Sequence, residues 1–184
     1  MLRSLAAGLL LASSMASAET PFPIAIGGPY ELVDQYGRER TQVDHEGRAQ
    51  LVFFGYARCP SICTTALPLM ADMTDTLEAE GLAVQPVLIT VAPEQDTAEV
   101  MQEELSHLHD DFLGLSGDEA ALQTAYDGFA IAYEPIFEDP EYGWIYAHSS
   151  FIHLLDADGT VLAVIPPILG QDRALEIARK HLAG

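Results

Sequence analysis

Two short apolar runs of strand-forming residues bracket one helical pattern. They are Gln50-Leu-Val-Phe-Phe-Gly-Tyr56 and Val84-Gln-Pro-Val-Leu-Ile-Thr-Val91. Runs this short and this apolar, bounded by polar residues and glycine, read as strands buried on both faces. Between them Leu67, Met70, Thr74 and Leu77 recur at helical spacing. Pro68 suits only the first turn of that helix, and Gly81 ends it. A strand, a helix and a second strand buried on both faces form a unit with parallel strands.

The rest of the chain extends this unit. Tyr30 to Arg38 reads as a strand ending in a turn. Asp96-Thr-Ala-Glu99 reads as a helix cap, and Val100, Met101, Leu105, Leu108 and Phe112 follow as one apolar stripe. A shorter helix spans roughly 118–129. Residues 137–144, rich in acidic and aromatic side chains, read as a loop. Strands at 151–156 and 160–165 join through Asp158-Gly159, and a last helix covers 172–181. The expected fold is α/β: a central mixed β-sheet with helices on both faces and an N-terminal extension. This element order is that of a thioredoxin-like domain.

The first residues predict export. Arg3 precedes a short apolar stretch, Leu5 to Met15, and Ala16-Ser17-Ala18 has the small-residue pattern of a cleavage site. Residues 1–18 are expected to be a cleaved export signal, with an uncleaved anchor as the rival reading, and 19–184 one domain with a short linker at 19–28. The apolar stretch is too short to span a bilayer comfortably. The expected product is periplasmic and soluble, with no stable membrane span. A net charge of -20 excludes phosphate-backbone binding, so no nucleic-acid partner is expected. It favours basic partner surfaces.

The chain has two cysteines, Cys59 and Cys63, both directly after the first buried strand. In an exported protein a lone pair is often a structural disulfide. This pair stands where a strand ends and a helix begins, and a helix N-terminus stabilises a thiolate. Arg58 is expected to add a full positive charge beside Cys59. Four positions of separation put both sulfurs on one side of a helical turn. They can close a disulfide there or hold one metal ion.

Six histidines could complete a site. His107 and His109 fall on a charged helix face and read as exposed. His153 lies inside a strand and reads as packed. His45 sits in a polar loop and His181 at a helix end. His148 differs, because it stands just before the strand at 151–156, next to the place where a thioredoxin-like domain turns a cis-proline toward its cysteines. Two thiolates and an imidazole suit copper, as Cu(I) through sulfur and Cu(II) through nitrogen. Zinc remains open, although a structural zinc site takes four protein ligands. Met70 and Met73 are soft donors, but Met70 falls on the apolar stripe. Tyr142, Trp144 and Tyr146 either line the site, mark a partner surface or pack their own loop.

These residues resemble the Sco/SenC family, the copper-binding thioredoxin-fold factors of cytochrome c oxidase assembly. The resemblance runs from about Gly28 onward. It rests on Cys59-Pro-Ser-Ile-Cys63 after Phe54-Gly55, on Ile89-Thr-Val-Ala-Pro-Glu-Gln-Asp-Thr97, and on His148-Ser149 before a strand. It implies Cys59, Cys63 and His148 as copper ligands. It implies delivery of copper to the copper-site subunit of the oxidase, and contact with other copper chaperones. Arg58, Ser61, Thr64, Ala92 and Ala147 depart from the residues common in the family. The alanines remove carboxylates that could orient a ligand, so copper affinity and partner choice are the properties most open to change.

A second function fits the same thiols. A thiol-disulfide reductase would use Cys59 to attack and Cys63 to resolve. A peroxidase is disfavoured, because the Pro-x-x-x-Thr-x-x-Cys approach is missing before Cys59. A redox or copper sensor acting through a partner stays open.

Overall fold

The computed structural model describes residues 26–183. The export signal expected at 1–18 and most of the linker expected at 19–28 lie outside the described residues. Strand β3 (Ala49–Gly55) is buried along its whole length, because it pairs on both edges. On one side lies β4 (Val84–Thr90), parallel to it, and on the other β8 (Ile152–Leu155), antiparallel. Outside these run β5 (Leu113–Ser116), β1 (Glu31–Asp34) and β2 (Glu39–Thr41) on one flank and β9 (Val161–Ile165) on the other. The seven strands stand in the order β2-β1-β5-β4-β3-β8-β9. The sheet is mixed, as the alternation of strand and helix patterns predicts.

Alternation along β3 sends neighbouring side chains to opposite faces. Phe53 and Gly55 face α1 (Cys63–Ala79), where a Cβ on Gly55 would lie 2.9 Å from the Cys63 sulfur. Phe54 faces the other way, against Tyr126 and Phe129 at the end of α3 (Glu119–Gly128). Helices therefore cover both faces. On the first, α1 also packs against α4 (Gly170–Leu182). Leu51, Val52, Phe53 and Phe54 are at most 1% exposed. Burial of a side chain of this kind contributes about 2 kcal/mol.

Four local expectations need correction. Residues 137–144 are not a loop: β6 (Tyr133–Asp139) and β7 (Gly143–His148) form an antiparallel hairpin that is a separate two-stranded sheet. Most of it is exposed, so no alternation of buried and polar residues marks it. The stripe from Val100 to Phe112 is not one helix. Helix α2 (Ala98–Ser106) stops early, and Phe112 leads into β5, which was not expected; neither was β2. Pro68 sits in the second turn of α1, because the helix already begins at Cys63. His109 is not free in solvent: its Nε2 lies 3.3 Å from Asp75, and its side chain is 11% exposed. His107 is exposed, as expected.

His153 is the packed strand histidine that the pattern predicts. It is buried between the rings of Phe54 and Phe129, and among the described residues neither ring nitrogen has a partner. Burial lowers its pKa from 6.5 to about 4. The unfolded chain therefore binds a proton between those values and the folded chain does not, so stability falls as pH drops through that window. The gap corresponds to about 3 kcal/mol. Replacing His153 with Leu should remove this component. In urea melts at pH 7 and pH 4, the acid-induced loss should be smaller in the variant by about that amount; an equal loss in both proteins would contradict the assignment.

Candidate metal centre

The strand β3 ends at Gly55, and the chain turns before α1 opens. The N–H of Cys59 donates to the Tyr56 carbonyl at 3.3 Å, and the N–H of Thr64 to the Ser61 carbonyl at 3.0 Å. No side chain caps α1. Cys59 stands in this turn and Cys63 is the first helical residue. Both are buried, and neither is in a disulfide. Gly55 permits the fit, since any larger residue would meet Cys63 and Phe53.

His148 arrives from the other side. It ends β7, so a strand and not a loop carries it to the thiols. Its Nε2 lies 3.6 Å from the Cys63 sulfur, and its Nδ1 lies 2.9 Å from the Ser149 carbonyl. A protonated Nδ1 donates to that carbonyl and leaves Nε2 free to accept or ligate. The edges of Phe53 and Tyr56 flank the ring. The two sulfurs and one ring nitrogen all lie within 4.8 Å of one another. The sequence-derived trio thus converges. Among the described residues no other group of Cys, His, Asp or Glu has this geometry.

The other candidates stay away. Met70 and Met73 are fully buried core residues. His153 is walled off by aromatic rings. Tyr146 packs on Tyr56, while Tyr142 and Trp144 are each 41% exposed.

The electrostatics separate the two thiols. The Cys63 thiol, the His148 imidazole and the N–H groups of Cys63 and Ser61 hold Cys59 at about 4, against the opposing effect of burial. The same Cys59 group, followed by burial, pushes Cys63 up. One proton is therefore held on Cys63 while Cys59 is the thiolate. Arg58 has no share in this. Its guanidinium turns outward to Glu104 at 2.7 Å and Glu103 at 3.3 Å, so the expected positive charge beside Cys59 is already matched.

Asp96 was expected to cap a helix and does not. Thr97 caps α2, accepting the N–H of Val100. Asp96 is 2% exposed, and its carboxylate accepts the Ala57 N–H at 3.0 Å and the Thr90 hydroxyl at 2.7 Å. Burial raises its pKa to about 6. Only its place in the Ile89–Thr97 motif marked it, because a buried carboxylate and a cap look alike in one sequence.

Two sulfurs and one imidazole make a soft set of donors that fits a thiophilic transition metal and not a hard cation such as magnesium or calcium. The same pair can carry two electrons as a disulfide. A strand-turn-helix thiol pair faced by a histidine, on this mixed sheet, defines a thioredoxin-like thiol and metal domain. The comparisons with known proteins agree. The family profile of SCO1/SenC matches residues 18–183. The SCO2-like protein of Rickettsia felis is 36% identical over 140 residues, 76% of this chain and 68% of that protein. The human mitochondrial SCO2 homolog is 34% identical over 162 residues, 86% of this chain and 61% of its own. The structure of yeast Sco1 with copper bound superposes with a TM-score of 0.78 at 27% identity, covering 88% of this chain and 90% of that one. The chain belongs to the SCO1/SenC family.

The thiol assignment predicts the order of alkylation. At pH 6, iodoacetamide should label Cys59 ahead of Cys63 by about tenfold or more, read by peptide mass spectrometry. Equal labelling would contradict it.

Proposed function

We propose that this protein is an exported copper chaperone. It binds copper through Cys59, Cys63 and His148 and delivers it to the dinuclear copper site of cytochrome c oxidase. The observation that carries this reading is the convergence of two thiols and an imidazole within 4.8 Å. The relatives support copper as the cargo: yeast Sco1 and the Bradyrhizobium japonicum ScoI, which is 28% identical with a TM-score of 0.73, are both structures with copper bound. Sulfur donors suit Cu(I), and the imidazole extends the site to Cu(II). Transfer is ligand exchange, in which incoming ligands replace these one at a time with no change of oxidation state. The partners are the oxidase copper-site subunit and other copper chaperones. Export by residues 1–18 puts the domain in the periplasm. No helix among the described residues is long and apolar enough to cross a membrane.

The lowered Cys59 favours a second reading on the same thiols. The Cys59 thiolate attacks a partner disulfide and expels one thiolate. Cys63 then gives up its proton and attacks the Cys59 sulfur, expelling the other. Two electrons pass to the partner, and Cys59–Cys63 closes as a disulfide. Only the reduced pair binds copper, so the two roles are exclusive at any instant.

Copper titration of the reduced protein, wild type beside His148→Ala, tests the first reading. The variant should bind Cu(II) about 100-fold more weakly or worse, since even removing an outer partner of a ligand costs about 10- to 100-fold. Thiolate charge-transfer absorption should fade with it. Cu(II) affinity indifferent to His148 would reject this site and leave the reductase.

A further inference from the structure

The turn between β4 and α2, Ala92 to Thr97, touches both halves of the site. It holds its own shape, because the N–H groups of Gln95 and Asp96 both donate to the Ala92 carbonyl, at 2.9 and 3.0 Å. Toward the thiols, both oxygens of Asp96 accept the Ala57 N–H, at 3.0 and 3.2 Å. Ala57 stands two residues before Cys59. Toward the hairpin, the Gln95 amide donates to the Trp144 carbonyl at 3.0 Å. The Tyr146 hydroxyl donates to the Glu94 carboxylate. Trp144 and Tyr146 lie on β7, the strand that ends in His148.

The hairpin needs such a grip. It makes no ladder with the seven-stranded sheet. Its other ties are the contact of the Tyr146 N–H with the Tyr56 hydroxyl at 3.4 Å, the edge-to-face contacts of Tyr133 with Tyr126 and of Tyr146 with Tyr56, and the contacts of the His148 ring with Cys63, Phe53 and Tyr56. At its tip Gly143 has a φ of +71°, and a Cβ there would fall 2.1 Å from the Gln95 side-chain oxygen. A side chain at 143 would therefore strain the backbone and push Gln95 away.

The geometry points to the 92–97 turn as a brace that sets the separation between His148 and the thiol pair, with Gln95 and Asp96 as positioning residues. This rests on the reading of Cys59, Cys63 and His148 as metal ligands. Glu94 and Gln95 hold the strand that carries the imidazole, and Asp96 holds the loop that carries Cys59. One rigid turn thereby fixes two elements that are far apart in the chain. Without the brace, the imidazole and the sulfurs still exist, but each wanders relative to the other and the metal loses its third donor for part of the time.

A double-mutant cycle on copper affinity decides it. Cu(II) alone is titrated into the reduced full-length protein as wild type, Gln95→Ala, His148→Ala and the double variant. Gln95→Ala should weaken Cu(II) binding by about tenfold and shift the thiolate charge-transfer band. In the His148→Ala background the same change should alter affinity less than about twofold, because no imidazole is left to position. Asp96→Asn, which keeps one acceptor for the Ala57 N–H, should fall between wild type and Asp96→Ala. If Asp96→Ala does not fold, Gln95→Ala alone carries the test. Wild-type affinity and spectrum in Gln95→Ala would overturn the brace. So would an equal loss in both backgrounds, which marks a general structural effect. His148→Ala binding Cu(II) as tightly as wild type would overturn the metal site itself, and the brace with it.

Discussion

The approach of the His148 imidazole to the Cys63 sulfur, 3.6 Å across 85 residues of sequence, is the contact on which the rest of the structure converges. It joins two bodies that share no strand pairing. The thiols follow β3, a strand of the main sheet that is buried along its whole length, and the imidazole belongs to a hairpin outside that sheet. Everything near the contact serves one approach or the other. Gly55 clears space for a sulfur. Phe53 and Tyr56 present their edges to the imidazole ring. The Ser149 carbonyl faces Nδ1 and leaves Nε2 turned toward the thiols.

Charge around the site is arranged by hydrogen bonds more than by paired ions. Cys59 is acidic without a cation beside it. A neighbouring thiol and imidazole, with backbone N–H groups at the helix entry, suffice. Arg58, the one cation nearby in sequence, is turned to α2. A thiolate without a competing guanidinium stays free for a metal or for a disulfide. The exposed surface is acidic overall, which favours cationic partners and repels nucleic acid.

Much of this was legible in the sequence, and the misses have physical causes. The buried strands at 50–56 and 84–91 were readable because central strands carry continuous apolar runs. The three converging side chains were readable too. Cys59 and Cys63 sit at a strand-to-helix junction, and His148 stands next to the place where a thioredoxin-like domain turns a cis-proline toward its cysteines. The β6–β7 hairpin was missed because it is exposed on most of its length and buries no alternating face. Asp96 was read as a cap because Asp followed by Glu three residues later is a capping pattern. Only the folded chain brings Ala57 and Thr90 to that carboxylate. Arg58 misled in the same way, since sequence adjacency says nothing about which way a long side chain turns.

Copper-edge X-ray absorption of the copper-loaded, reduced protein, wild type beside His148→Ala, tests the central claim most directly. A single site built from both bodies predicts two sulfur scatterers and one nitrogen scatterer in the wild type, with the nitrogen lost or replaced in the variant. One sulfur or none, or a first shell that His148→Ala leaves unchanged, would contradict the claim that hairpin and thiol loop meet at one metal ion.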